Sequence, residues 1–329
     1  MKIAGSKKRT RMPDQACEWM PSVVEDTNLQ ELVDRGFLPC KEFARWKSVY
    51  QQAFPSEGTG ETTVYASFFE RGLGLPASKF LRGLLHFYNI ELVHLTPNGI
   101  THIALFVHLC EAFLGIDPHF QLFRYFFRLK PNPKSANPSV CGGAGFQLRQ
   151  STKKHYFDVP LKDPVRTWRS EWFVIGDMAQ LLVRSGHKPV CTAKWNSPPN
   201  QKESIRIEEL VEKIANLKDQ GLTAAGIAWS FIKRRIQPLQ ERSVPSYLYK
   251  GPEDPSRLKE DLTHDEILER VGKFLTGVHS EPKTPPEYSA TNSPPSVSPL
   301  TCHCLFSFAN LVIHVDSEIF LLLASLLLL

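Results

Sequence analysis

Apolar residues recur at helical spacing along most of the chain between residues 28 and 275. Over 77–88 (ASKFLRGLLHFY), Phe80, Leu81, Leu84, Leu85 and Tyr88 share one face of a 3.6-residue period. Over 96–114, Ile100, Ile103, Ala104, Val107, Cys110, Phe113 and Leu114 form a wide stripe. The start of that helix is marked by Thr96, whose hydroxyl accepts the first amide bonds, and by Pro97, whose missing N–H costs nothing at the first helical position. Asp117-Pro118 repeats the signal ahead of a helix over 119–129. Further helices are predicted over 28–35, with Asn28 as N-cap and Gly36 beyond the end, and over 64–71 (VYASFFER). Others follow over 205–219 with Gly221 beyond, from Thr223, and from Thr263 to about Leu275 behind a Thr263-x-x-Glu266 capping box.

Beyond Pro131 the period shortens. Residues 144–149 (AGFQLR), 155–161 (HYFDVPL) and 171–176 (EWFVIG) are short, aromatic and β-branched, with turn signals between them, which predicts a small antiparallel meander. The expected fold is mainly α with a small antiparallel β section (α+β): a helical core domain, a short β meander and further helices. Composition sets the expected boundaries: a basic disordered N-terminus (1–27), the core with its basic β section (28–178), a linker (179–204), a helical C-terminal region (205–278), a Pro/Ser-rich linker (279–303) and an apolar tail (304–329).

Composition changes this picture little. Of 329 residues, 42% are hydrophobic and 11% aromatic, enough for a substantial core. Seven Cys without a CxxC pair, and no N-glycosylation sequon, point to reduced thiols inside a cell. The N-terminus lacks the apolar stretch of a signal peptide. The tail is interrupted by Asp316, Ser317 and Glu318, so neither apolar half approaches the ~20 residues that span a bilayer. An intracellular protein, nuclear or cytoplasmic, is expected, with a tail-anchored form as the minor alternative.

Several runs occur together in a fixed order: LQELVDRGFLP (29–39), FFERGLGLPASKFLRGLLHFY (68–88), LTPNGITHIALFVHLCEAFLG (95–115), PHFQLFRYFFRLKP (118–131), WRSEWFVIGD (168–177) and FIKRRIQPLQERSVPSYLYKGPEDPSRL (231–258). In these the chain, over roughly residues 28–275, resembles the plant gypsy-type transposon domain family, retrotransposon-derived and labelled transposase by association. The resemblance carries over no catalytic residue, and the same residues read as helix faces and turns.

Catalytic chemistry is not legible. An integrase needs three carboxylates to hold two metal ions together with a His/Cys zinc module, and neither set is present. Cys302-His303-Cys304 lacks a partner pair for zinc, and Asp316-Ser317-Glu318 is not the Asp-Ser/Thr-Gly turn of a retroviral protease. The GGAG run at 142–145 lacks the Lys-Ser/Thr of a phosphate loop and reads as a turn. His102, His108 and Glu111 read as the polar edge of a core helix. No cofactor and no metal site are expected.

The net charge of +5 is unevenly spread. Residues 121–170 carry ten Lys and Arg against Asp158 and Asp163. Within this segment Arg149, Lys153, Lys154, Lys162, Arg166 and Arg169, interleaved with Phe146, Tyr156, Phe157 and Trp168, are candidate contacts for nucleic acid: cations for phosphates and rings for stacking. The alternative is that the rings are core and the charges solvated turns. Lys7, Lys8, Arg9 and Arg11 form a candidate import signal or phosphate-contacting arm. Three roles follow: a non-enzymatic domain for assembly, as a homo-oligomer or with a protein partner; a nucleic-acid-binding module; or a non-catalytic remnant of a transposition protein.

Overall fold

The structure, a computed structural model, describes residues 19–56, 58, 60–75, 77–133, 137–176, 187–200, 202, 204–235 and 262–287, with backbone alone for Arg166, Ser204, Arg234 and Arg235. All of these belong to one compact unit, Met1–Asn292. The basic run at 7–11 and the tail at 304–329 lie outside the described residues.

In chain order the unit contains α1 (Asp26–Asp34), α2 (Lys41–Ala44), β1 (Glu61–Tyr65), α3 (Ala66–Glu70), α4 (Lys79–Tyr88), α5 (Pro97–His108) and α6 (Phe120–Phe126). It continues with β2 (Phe127–Pro131), β3 (Ala144–Leu148), β4 (Trp172–Gly176), α7 (Ser204–Asp219), α8 (Ala224–Arg235) and α9 (His264–Gly272). Its class is the expected one, mainly α with small antiparallel sheets.

Where the sequence names a cap, the helix starts there. Thr96 Oγ1 accepts from the Gly99 amide at 3.1 Å, with Pro97 in the first turn. Thr263 and Glu266 form the reciprocal capping box. α5 lies at the centre of the fold: Ile100, Ile103, Ala104, Leu105, Phe106 and Val107 are all buried. It then runs into a π-helical turn, Leu109–Phe113. Gly72, with φ +101, lets the end of α3 meet α5 and α8: a Cβ there would stand 2.7 Å from Ala104 Cβ and 2.9 Å from the Phe231 ring.

Other elements depart from expectation. Residues 64–65, read as helix, end β1, because the run Thr62-Thr63-Val64 is β-branched and stiff at χ1. The helix begins only at Ala66. The 119–129 helix stops at Phe126. Phe127–Pro131 is then a strand whose Phe127 and Leu129 are buried while Arg128 and Lys130 are half-buried, a two-residue period, and the prolines at 131 and 133 favour extended backbone in the residues before them. α1 begins two residues early, and Asn28 lies within its first turn, its Oδ1 accepting from the Glu25 amide at 2.9 Å.

No meander forms. β3 pairs with β2 (Leu129 opposite Phe146), and β4 pairs with β1 (Thr63 opposite Val174). Residues 155–161 are not a strand: among the described residues their ladder contact is a single bridge that joins Leu161 to Leu275.

The expected boundaries do not divide the unit. Within the N-terminal region expected to be disordered, Trp19, Ser22 and Val24 are buried, and Ser22 Oγ donates to the Trp172 carbonyl at 2.6 Å. Trp19 stacks on Tyr65, 6.1 Å between centroids. The expected linker 179–204 contains Trp195, 1% exposed. The C-terminal helices pack on the core rather than apart from it: Phe231 of α8 is buried, and His108 Nε2 of α5 lies 2.7 Å from Ser230 Oγ. Ser230 Oγ in turn donates to Glu287, which pins the start of the expected Pro/Ser-rich linker to α8.

Candidate interaction surfaces

The basic segment is built largely facing inward. Its rings are core: Phe146, Tyr156, Phe157 and Trp168 are each 4–6% exposed. Tyr156 packs 4.5 Å from Phe126, and Trp168 packs 4.8 Å from Tyr65. A face of rings open for base stacking is therefore not formed.

Its arginines hold carbonyls. Arg124, buried under the Phe87 ring at 4.4 Å, donates to the Ser197 carbonyl at 3.2 Å, to Ser197 Oγ at 2.9 Å and to the Pro198 carbonyl at 3.0 Å. Arg149 donates to the Arg124 carbonyl at 3.0 Å, to Asn196 Oδ1 at 2.9 Å and to the Ser197 carbonyl at 3.1 Å. Burial and the nearby Arg124 and Arg128 lower the Arg149 pKa. The two guanidiniums clasp residues 196–198, directly after the buried Trp195. Arg169 donates to the Cys141 carbonyl at 3.2 Å and lies 5.3 Å from the Trp168 ring centre. The Arg166 side chain lies outside the described residues.

The lysines stand further out. Lys153 pairs with Asp158 at 3.0 Å, both largely exposed, so the pair stabilises by only about 0–1 kcal/mol. Lys154 is exposed, with no ion pair among the described residues. Lys162 donates its ammonium to the Gly272 carbonyl. Lys218 of α7 donates to the carbonyls of Lys154 (2.9 Å) and Tyr156 (3.1 Å), which brings a further cation to the same ridge.

Two clefts flank the ridge formed by residues 150–158. One, of about 500 Å³, runs between the start of α5 and the β2–β3 hairpin, with His102, Lys130, Gln147 and Lys153 in its lining. The other, of about 620 Å³, opens toward the start of α8; Gln150, Lys153, Phe157 and Asp158 belong to both. The expected polar edge of α5 divides accordingly. His102 lines the first cleft with its ring 5.1 Å from Phe127, and burial pushes its pKa down to about 4. His108 is instead fully buried on Ser230. The glycine run at 142–145 spans the turn into β3 and its first two residues, Ala144 and Gly145, and Gly142 has φ +68 against the Trp168 ring. Among the described residues no group of three His, Cys, Asp or Glu is placed to hold a metal ion. Nor is any helix there long and apolar enough to cross a membrane.

A second surface escapes sequence reading. Residues 20–23 and 50–54 run side by side: the Ser22 amide donates to the Gln52 carbonyl at 3.0 Å, and the Gln51 amide to the Ser22 carbonyl at 2.8 Å. This pairing gathers Met20 (44% exposed), Val23 (53%), Tyr50 (48%) and Phe54 (58%) on the surface. The segments are 26 or more residues apart in the chain and neither is periodic, so no sequence pattern marks the patch.

No curated protein and no solved structure matches the chain. A family model does match, over a span narrower than the 28–275 of the sequence resemblance, running from β1 through α3, α4, α5 and α6 to the end of β2. Residues 63–131 match the family described as "Putative gypsy type transposon".

Proposed function

We propose that the chain is a non-enzymatic domain for protein contact and assembly, retained from a transposon. The observation that carries this reading is the patch of Met20, Val23, Tyr50 and Phe54. Single exposed apolar side chains are ordinary, but four large ones on paired segments beside the core support a docking surface there. Tyr and Phe are also favoured at the centres of interfaces. Light scattering is expected to show a stable oligomer for the full chain. Phe54→Asp and Tyr50→Asp should dissociate it while leaving the far-ultraviolet circular dichroism unchanged, because neither ring is in the core. A monomer that also retains no partner in a pull-down would overturn the reading.

A second reading, binding to nucleic acid, is favoured by the ridge bearing Lys153, Lys154 and Lys218. It rests on phosphate contact alone, since the rings are buried. Each phosphate neutralised contributes about 0.9 to the slope of log affinity against log salt on duplex DNA. Lys153→Ala with Lys154→Ala should reduce that slope by about 2. No binding at low salt would sink this reading. Arg149 and Arg169 make poor probes, because their loss orphans backbone carbonyls and disturbs the fold.

A further inference from the structure

The cleft between α5 and the β2–β3 hairpin combines three features that the assembly reading does not use. The first is His102. Its ring is held against Phe127 at 5.1 Å, and neither ring nitrogen has a hydrogen-bond partner among the described residues. The neighbouring polar groups are engaged with the protein itself: Thr96 caps α5, and Asn98 accepts from Arg71 at 2.8 Å and donates to the Lys162 carbonyl at 3.1 Å. A neutral imidazole offers one N–H donor and one acceptor, and this one lines the cleft.

The second feature is the supply of further donors on one rim. Gln147 gives its Oε1 to Arg128 at 3.0 Å, which leaves its NH₂ group as a donor. Lys153 is held only by an exposed pair with Asp158, a contact weak enough to be exchanged for a ligand anion. The third is the wall: Phe157, Val159 and Leu161 are apolar and face the same space. A cleft of about 500 Å³ with one apolar wall and a largely polar remainder matches small-molecule sites in size.

We infer that this cleft binds a small flat organic anion, its ring against the apolar wall, its polar edge on His102 and Gln147, and its phosphate or carboxylate on Lys153. A nucleoside monophosphate and an aryl carboxylate share this chemistry, and the experiment separates them.

Isothermal titration of the full chain with adenosine monophosphate and, separately, with naphthoate is expected to give saturable one-to-one binding for at least one, and the stronger of the two identifies the source of the anion. Adenosine or naphthalene methanol, lacking the charge, should bind about tenfold more weakly, the scale of a lost charge-assisted hydrogen bond. His102→Phe keeps the ring on Phe127 while removing both nitrogens, and Lys153→Gln removes the charge at an exposed site. Each should weaken binding about fivefold to tenfold. Lys162→Gln, outside the cleft lining, should leave it unchanged. Lys153→Gln keeps the test decisive should His102→Phe fold poorly. Absence of saturable binding by both anions, equal binding of the neutral analogues, or indifference to Lys153→Gln would each overturn the inference.

Discussion

Trp172→Ala is expected to destabilise the protein by about 3–5 kcal/mol, the range for deleting a fully buried large aromatic side chain. Trp172 is fully buried in β4, opposite Tyr65 of β1. Its ring meets Trp19 edge-on at 5.5 Å, and its Nε1–H donates to the Met20 carbonyl at 2.8 Å. The substitution therefore opens a cavity and also releases residues 19–24, which are held by this bond and by those of Ser22 and Val23. Urea unfolding measures the first effect. Faster limited proteolysis after Trp19 reports the second at denaturant-free equilibrium. Trp172→Phe, which keeps most of the volume but loses the N–H, should lie between the two proteins. A loss below about 1.5 kcal/mol for the alanine variant would show that the β1–β4 sheet is not the anchor of the N-terminal segment.

The second large effect is acid sensitivity. Burial lowers both His94 and His102 to about 4, against 6.5 in the unfolded chain. For His94 one hydrogen bond opposes protonation as well: Nδ1 accepts from the Glu91 amide at 3.0 Å, which leaves the proton on Nε2, whose bond to the His187 carbonyl at 2.7 Å works the other way but is outweighed by burial. A second proton would face the Glu91 N–H. Between pH 6.5 and about 4 the unfolded chain binds more protons than the folded one, so stability rises with pH there. The full contribution is present above 6.5 and is lost progressively down to about 4, up to about 3 kcal/mol for each histidine. Glu61 and Glu266, whose carboxyls are held low by hydrogen bonds, lose their contributions only below 4.5 and so mark a separate window. Urea midpoints at pH 7.5 and 4.5 should differ accordingly, and His102→Phe should remove its share of the difference. A flat profile between those pH values would show that neither imidazole is excluded from protonation in the fold.

The helices that could be read from the sequence are those whose instructions are local. Thr96-Pro97 and Thr263-x-x-Glu266 each satisfy orphan amides within one turn, so the caps act wherever the rest of the chain lies. β1 could not be read, because its partner stands more than a hundred residues away, and an isolated VYASFFER matches a helical stripe as well as it does a strand end. Phe127–Pro131 failed for a related reason: five residues hold too few repeats to separate the two periods. The basic segment was legible as charge but not as direction. An arginine aimed at phosphate and one aimed at a buried carbonyl have the same letter, and Arg124 and Arg149 take the second course because residues 196–198 return to them from outside the segment. The apolar patch was hidden because its halves meet only through backbone pairing.

The family-matched stretch begins in one strand and ends in another, and each completes its pairing with residues the match does not include: β1 with β4, β2 with β3. Those two debts fall due at different times during synthesis. At about 5–20 residues per second, Phe146 follows Leu129 within a few seconds, whereas Tyr65 waits roughly 5–20 seconds for Trp172. The hairpin half of the domain can thus close while β1, with Val64 and Tyr65 unprotected, is still without its partner. That interval is when a nascent chain most needs shielding of this edge from other strands.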